Sequence, residues 1–167
     1  MNRLTRPARL LLAATMTAAL AVTAGATAVI AEMDEELVDE LVAIEQTKLN
    51  PWYGESSTEV YVSHVAEDST YFDPWAPGKL RGAEVIEYLK SFEGLIPHLD
   101  YKIVDPSADV RGEIVIFTYL IENSDPETGE PAGGWMVTKI LSPTDEGWEV
   151  IHTHYALPEV PPEAPPE

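Results

Sequence analysis

The sequence predicts an α+β domain, and three observations predict it. Apolar residues recur at helical spacing early in the chain, in Leu37, Leu41 and Ile44 and again in Val85, Leu89 and Phe92. After Pro97 the pattern changes to runs rich in β-branched and aromatic residues, separated by turn-forming segments. Helices come first and strands after, which is the order of an antiparallel sheet with its helices gathered on one side.

Each element has a local reason. Asp34 is suited to cap a first helix, with Glu35 and Glu36 facing its positive end. Leu37, Leu41, Ile44 and Lys48 share one face of that helix, with Val38 and Val42 beside it, and Asn50-Pro51 is expected to end it. Ser56-Ser57-Thr58-Glu59 reads as a capping box opening a short second helix through Val65. Thr70-Tyr71-Phe72 reads as a short strand stopped by Asp73-Pro74, followed by a loop from Trp75 to Arg81 and a third helix from Ala83 to Phe92. Four strands follow: Tyr101–Val104, Ile114–Glu122, Trp135–Leu141 and Trp148–Tyr155. The second is apolar on both faces, so one face suits the helices and the other needs a partner subunit or a cavity.

The flanks have a different composition. Residues 1–31 carry no acid; Arg3, Arg6 and Arg9 precede an uncharged stretch from Leu10 to Ala31 that closes on small residues. Basic, apolar and small segments in that order form a secretory signal peptide, with cleavage after Ala28 or Ala31. The expected product is secreted or periplasmic and has no membrane segment after cleavage. The alternative is an uncleaved anchor, because the uncharged stretch is long enough to span a bilayer. Residues 32–155 form the domain. Residues 156–167, ALPEVPPEAPPE, form a proline-rich tail expected to be extended and disordered, because the proline ring forbids regular helix and internal strand.

The chain has a formal charge of −19, and all 29 acids lie from Glu32 onward against seven bases, leaving −22 over residues 32–167. A surface this acidic argues against nucleic acid and against anionic membrane as partners. The absence of cysteine excludes a disulfide scaffold, a thiolate metal site and a cysteine nucleophile. The sequence has no glycine-rich phosphate loop, nucleophile elbow or His-Glu-x-x-His pattern, and no cofactor is expected.

Two stretches carry a family resemblance. The first is Ala66-Glu67-Asp68-Ser69-Thr70-Tyr71-Phe72-Asp73-Pro74, with Gly82 at the start of the third helix; the second is Gly147-Trp148-Glu149-Val150-Ile151-His152-Thr153-His154-Tyr155. Together with the element order they resemble the nuclear transport factor 2-like superfamily, which includes ketosteroid isomerases, SnoaL-like cyclases, scytalone dehydratases and the association domain of calmodulin-dependent kinase II. The resemblance implies a cone-shaped, curved antiparallel sheet packed on three N-terminal helices across residues 34–155.

It also implies site residues. Asp73 matches the carboxylate with which the isomerases move a proton next to a carbonyl. Such a base works when apolar surroundings bring its pKa towards operating pH. Asp73 is equally suited to cap the turn made by Pro74. Where the isomerases hold an enolate-stabilising tyrosine and acid, this chain has Thr47 and Val137, so Tyr53, Tyr119 or Tyr155 is the available donor. His152 and His154 share a face of the last strand. They read as half of a metal site, as an acid–base pair, or as scaffold with Tyr155 on the cavity face instead; no third ligand stands at a telling distance, and no metal is assigned. The expected catalytic set is Asp73, His154 and Tyr155. The expected pocket is Trp52, Tyr53, Tyr71, Trp75, Tyr119 and Trp135, with His152.

Two function classes follow. One is an exported isomerase, cyclase or dehydratase acting on a small apolar carbonyl compound, with a carbonic anhydrase-like hydratase as a variant. The other is a non-catalytic ligand-binding or oligomerisation domain. A homodimer through the open sheet face is expected for either.

Overall fold

The computed structural model describes residues 23–158, with side-chain surroundings from residue 35 onward. The expected signal peptide therefore lies mostly outside the described residues, as does the tail beyond residue 158. Helix α1 spans Thr23–Glu55, α2 Glu59–Ser63 and α3 Ala83–Lys90; strands are β1 Val65–Phe72, β2 Leu80–Arg81, β3 Asp100–Arg111, β4 Ile114–Ser124, β5 Pro131–Thr144 and β6 Gly147–Ala156. They form one curved six-stranded sheet in the order β2-β1-β6-β5-β4-β3. The sheet is mixed: β1 pairs parallel with β6, and the other neighbours are antiparallel.

Period-two alternation builds the core. Val115, Phe117, Tyr119 and Ile121 of β4, Val137 and Leu141 of β5, and Val150 and Tyr155 of β6 are buried on the face that meets Leu41 and Leu49 of α1 and Val85 and Leu89 of α3. A register shift between Ile140 and Leu141 against β6 places Val150, Thr153 and Tyr155 inward, while His154 is exposed on the opposite face.

Four local expectations are corrected. Helix α1 passes through Asp34 and Pro51 instead of starting and ending there. The lost backbone bond at Pro51 is offset by packing beyond it, where Trp52 stacks on Tyr61 at 4.8 Å and Tyr53 on Tyr101 at 5.5 Å. The capping box does not form: Thr58 donates both its backbone N–H and its hydroxyl to Glu93 Oε2, each at 2.7 Å, so the cap of α2 is supplied from beyond α3. Leu80–Arg81 is a short strand rather than loop, and the DPSADVRG segment lies largely in β3, where a bulge between Val104 and Ser107 accommodates Asp105 at φ 50° and Pro106. Strands β3, β5 and β6 run past both of their expected ends, β4 runs past Glu122, and β1 starts at Val65, where the second helix was expected to finish.

Candidate functional site

The concave face of the sheet and the ends of α1 and α3 enclose a cavity of about 420 Å³. Its walls are mostly aromatic. Trp52, Tyr53, Tyr61 and Tyr71 line it with Trp135 and Tyr155, and Trp75, which is 63% exposed, stands at the mouth edge-on to Trp135 at 4.7 Å. Leu95 and Leu157 form exposed apolar parts of the rim.

Asp73 lines this cavity where β1 ends. Its Oδ1 accepts the backbone N–H of Trp75 and of Ala76, each at 2.6 Å, and the Tyr88 hydroxyl donates to Oδ2 at 2.8 Å. One carboxylate thus caps the Asp-Pro turn and lines the cavity at the same time. The Tyr88 proton on Asp73 and its own burial push the phenol of Tyr88 upward, with burial the larger cause.

Tyr61 from α2 and Tyr155 from β6 meet hydroxyl to hydroxyl at 2.7 Å in the cavity wall. Behind them is a buried ion cluster. Lys139 Nζ donates to Tyr61 Oη at 3.2 Å and to Glu45 Oε1, while Lys48 Nζ lies 2.7 Å from Glu45 Oε2 in an ion pair without hydrogen-bond alignment. Glu45, Lys48 and Lys139 are each 1% exposed. Burial drives the Glu45 carboxyl upward, but the charges of Lys139 and Lys48 outweigh it and hold the group at about 2. Burial pulls the Lys48 ammonium down, against the attraction of Glu45. Burial is also the chief reason that the Tyr61 and Tyr155 phenols are raised, so both keep their protons.

The cluster places a cation behind the hydroxyl pair. Tyr61 oxygen accepts from the Lys139 ammonium, which has no lone pair to offer in return. Tyr61 and Tyr155 share one hydrogen bond in which either hydroxyl can donate, so the pair holds one O–H that a group in the cavity can recruit. The arrangement is a hydroxyl pair with a cation behind it, chemistry suited to a carbonyl oxygen that gains negative charge.

Of the expected site residues, Trp52, Tyr53, Tyr71, Asp73, Trp75, Trp135 and Tyr155 share the cavity. Three are corrected. Tyr119 is buried beneath the wall, 3% exposed, with no partner for its hydroxyl. His152 and His154 belong to the other side of the sheet: His152 Nδ1 bonds Thr70 Oγ1 at 2.7 Å, and Phe72 packs edge-on to both rings. Strand parity makes the pair face away from Tyr155, so neither histidine reaches the cavity. Among the described residues no group of three His, Asp or Glu side chains gathers as a metal site. Tyr61, Tyr88, Asn123, Glu45 and Lys139 were not expected at the site. Lys139 was the one with a sequence signal, as a lone cation at inward parity between Val137 and Leu141.

A family model described as a SnoaL-like domain matches residues 47–159, and the chain belongs to that family. No curated protein matches it. Solved structures share its nuclear transport factor 2-like fold. A candidate ketosteroid isomerase from Parabacteroides distasonis is 21% identical, with a TM-score of 0.59 over 73% of this chain and 86% of that one. The association domain of CaMKII from C. elegans is 19% identical, with a TM-score of 0.58 over 74% and 98%. A nuclear transport factor 2-like protein from Pseudomonas putida KT2440 is 13% identical, with a TM-score of 0.62 over 79% and 98%.

Proposed function

We propose that the protein binds a small, largely apolar carbonyl compound in this cavity and moves a proton on the carbon next to the carbonyl. Asp73 is the base, Tyr155 the donor to the carbonyl oxygen, and Tyr61 with Lys139 holds that donor in place. The observation that carries the reading is that Asp73 and the Tyr61–Tyr155 pair line one aromatic cavity. When Asp73 takes the proton it becomes a neutral acid, its negative charge passes to the enolate oxygen beside Tyr155, and returning the proton to carbon restores the carboxylate. The test is deuterium exchange next to the carbonyl of 1-tetralone, followed by NMR. Wild type should accelerate it, and Asp73→Asn should lose about two to four orders of magnitude of that rate. Equal rates for the two proteins would contradict the assignment.

A second reading, assembly, is favoured by the open face of the sheet. Phe72, Leu120 and Met136 are 39%, 38% and 41% exposed there, and the family's structural neighbours include association domains. We place a homodimer contact on this face, compatible with a working cavity on the other. Light scattering should give twice the monomer mass, and Leu120→Glu with Met136→Glu should give the monomer. A monomeric wild type at both low and high salt would contradict the contact, because screening removes the repulsion of an acidic surface.

Export is proposed from residues 1–31. Mass spectrometry of the protein from its host should find an N-terminus near residues 29–32. An intact Met1 would contradict cleavage.

A further inference from the structure

We propose that the cavity has a second polar end, formed by Asn123 and Tyr53, that binds a hydroxyl group of the ligand; the inference deepens the carbonyl reading and rests on it. Asn123 is 6% exposed and lines the cavity from β4. Its Nδ2 donates to Tyr53 Oη at 3.4 Å, and its Oδ1 is buried without any hydrogen-bond partner. Among the described residues no acceptor takes the Tyr53 proton either. A free acceptor and a free donor therefore stand side by side in an otherwise apolar wall. An unpaired buried polar atom is costly, and a ligand that satisfies it gains what the apo protein lacks.

The backbone is shaped for this end. The β4–β5 register shifts between Glu122 and Ser124, so Asn123 sits at an irregularity in the pairing while keeping the inward parity of Tyr119 and Ile121. Gly134 pairs with the neighbouring Glu122, and a Cβ there would come 2.3 Å from the Ile121 carbonyl oxygen. Gly133 and Gly134 line the cavity and put no side chain into it. The sequence reads this pair only as a loop end; both lie in β5.

A group that accepts from Tyr53 and donates to Asn123 Oδ1 is an alcohol or phenol. A methyl ether cannot donate, and a carboxylate would leave Oδ1 facing another acceptor. The second end lies on β4, two strands from Tyr155 and four residues further along than Tyr119, which shares the register of Tyr155 through Val137, so the two ends are about 10 Å apart across the sheet and about 13 Å apart along it. The ligand class is thus a flat, mostly apolar ketone with a hydroxyl on the far side of its frame.

The test compares three probes by calorimetry: 1-tetralone, 6-hydroxy-1-tetralone and its isostere 6-methyl-1-tetralone. Wild type should bind the hydroxy compound about tenfold more tightly than the methyl compound. Asn123→Leu should remove that preference, and Tyr53→Phe should reduce it. Asn123→Ala should likewise remove the preference, which covers the case where the leucine variant fails to fold. Equal affinities in wild type, or a preference that survives Asn123→Leu, would overturn the second end while the cavity reading stands. Failure of all three probes to bind would overturn both.

Discussion

Glu45 sets the balance of the buried cluster, since it is one carboxylate between two ammonium groups. Glu45→Gln leaves both cations buried without a counter-charge and should destabilise the protein by about 3–5 kcal/mol in urea unfolding. Lys48→Met should change stability by less than about 1 kcal/mol, because it removes a buried ammonium without an aligned hydrogen bond and leaves Glu45 matched to Lys139. A large loss in Lys48→Met would contradict this division of roles. The Glu45 carboxyl is held at about 2 against an ordinary value of 4.5. Its contribution is therefore complete above pH 4.5 and is lost as pH falls towards 2. The Glu45→Gln variant should lack that part of the acid transition. His152 behaves in parallel on the outer face: burial first, and the charge of His154 second, lower its pKa. A lowered histidine favours its neutral form in the fold, so stability is complete above about pH 6.5 and declines as pH drops through the folded value. His152→Gln should flatten that slope between pH 7 and 5.

At the scale of elements, the close approach of β5 to β4 gives a sharp expectation. Gly134→Ala forces a methyl group onto the Ile121 carbonyl, and the melting temperature should fall by several degrees, with the cavity end at Asn123 disturbed. An unchanged melting temperature would show that the strands separate at no cost. The same elements show what was legible in the sequence. Period-two alternation made β4, β5 and β6 visible and gave Tyr71 and Asp73 a shared face, because parity is a local property. The inner side of β6 was not legible. Parity joins His152 to His154 and Tyr155 to Thr153, but the choice between the sets depends on pairing with β5 and on its register shift. The end of α1 was misread at Pro51 for a similar reason, since the packing of Trp52 and Tyr53 is made with residues distant in sequence. The ion cluster was beyond reach on the same ground: Lys139 stood out in its strand, but its partner Glu45 is 94 residues away.

At the scale of the molecule, the charge distribution and the cavity are set against each other. Residues 32–167 carry a formal −22, and the buried cluster contains two cations to one anion behind the Tyr61–Tyr155 pair. That interior excess favours a ligand oxygen that gains negative charge at Tyr155, while the acidic exterior keeps the protein soluble and disfavours anionic macromolecules. The fold is shared with relatives that bear no common activity, so function rests on the cavity and not on the sheet. The most direct measurement is a crystal structure of the protein soaked with 1-tetralone. The account predicts the ketone in the cavity, its oxygen within hydrogen-bond distance of Tyr155 Oη and the adjacent carbon beside Asp73. A ketone bound elsewhere, or one whose oxygen points away from Tyr155, would contradict it.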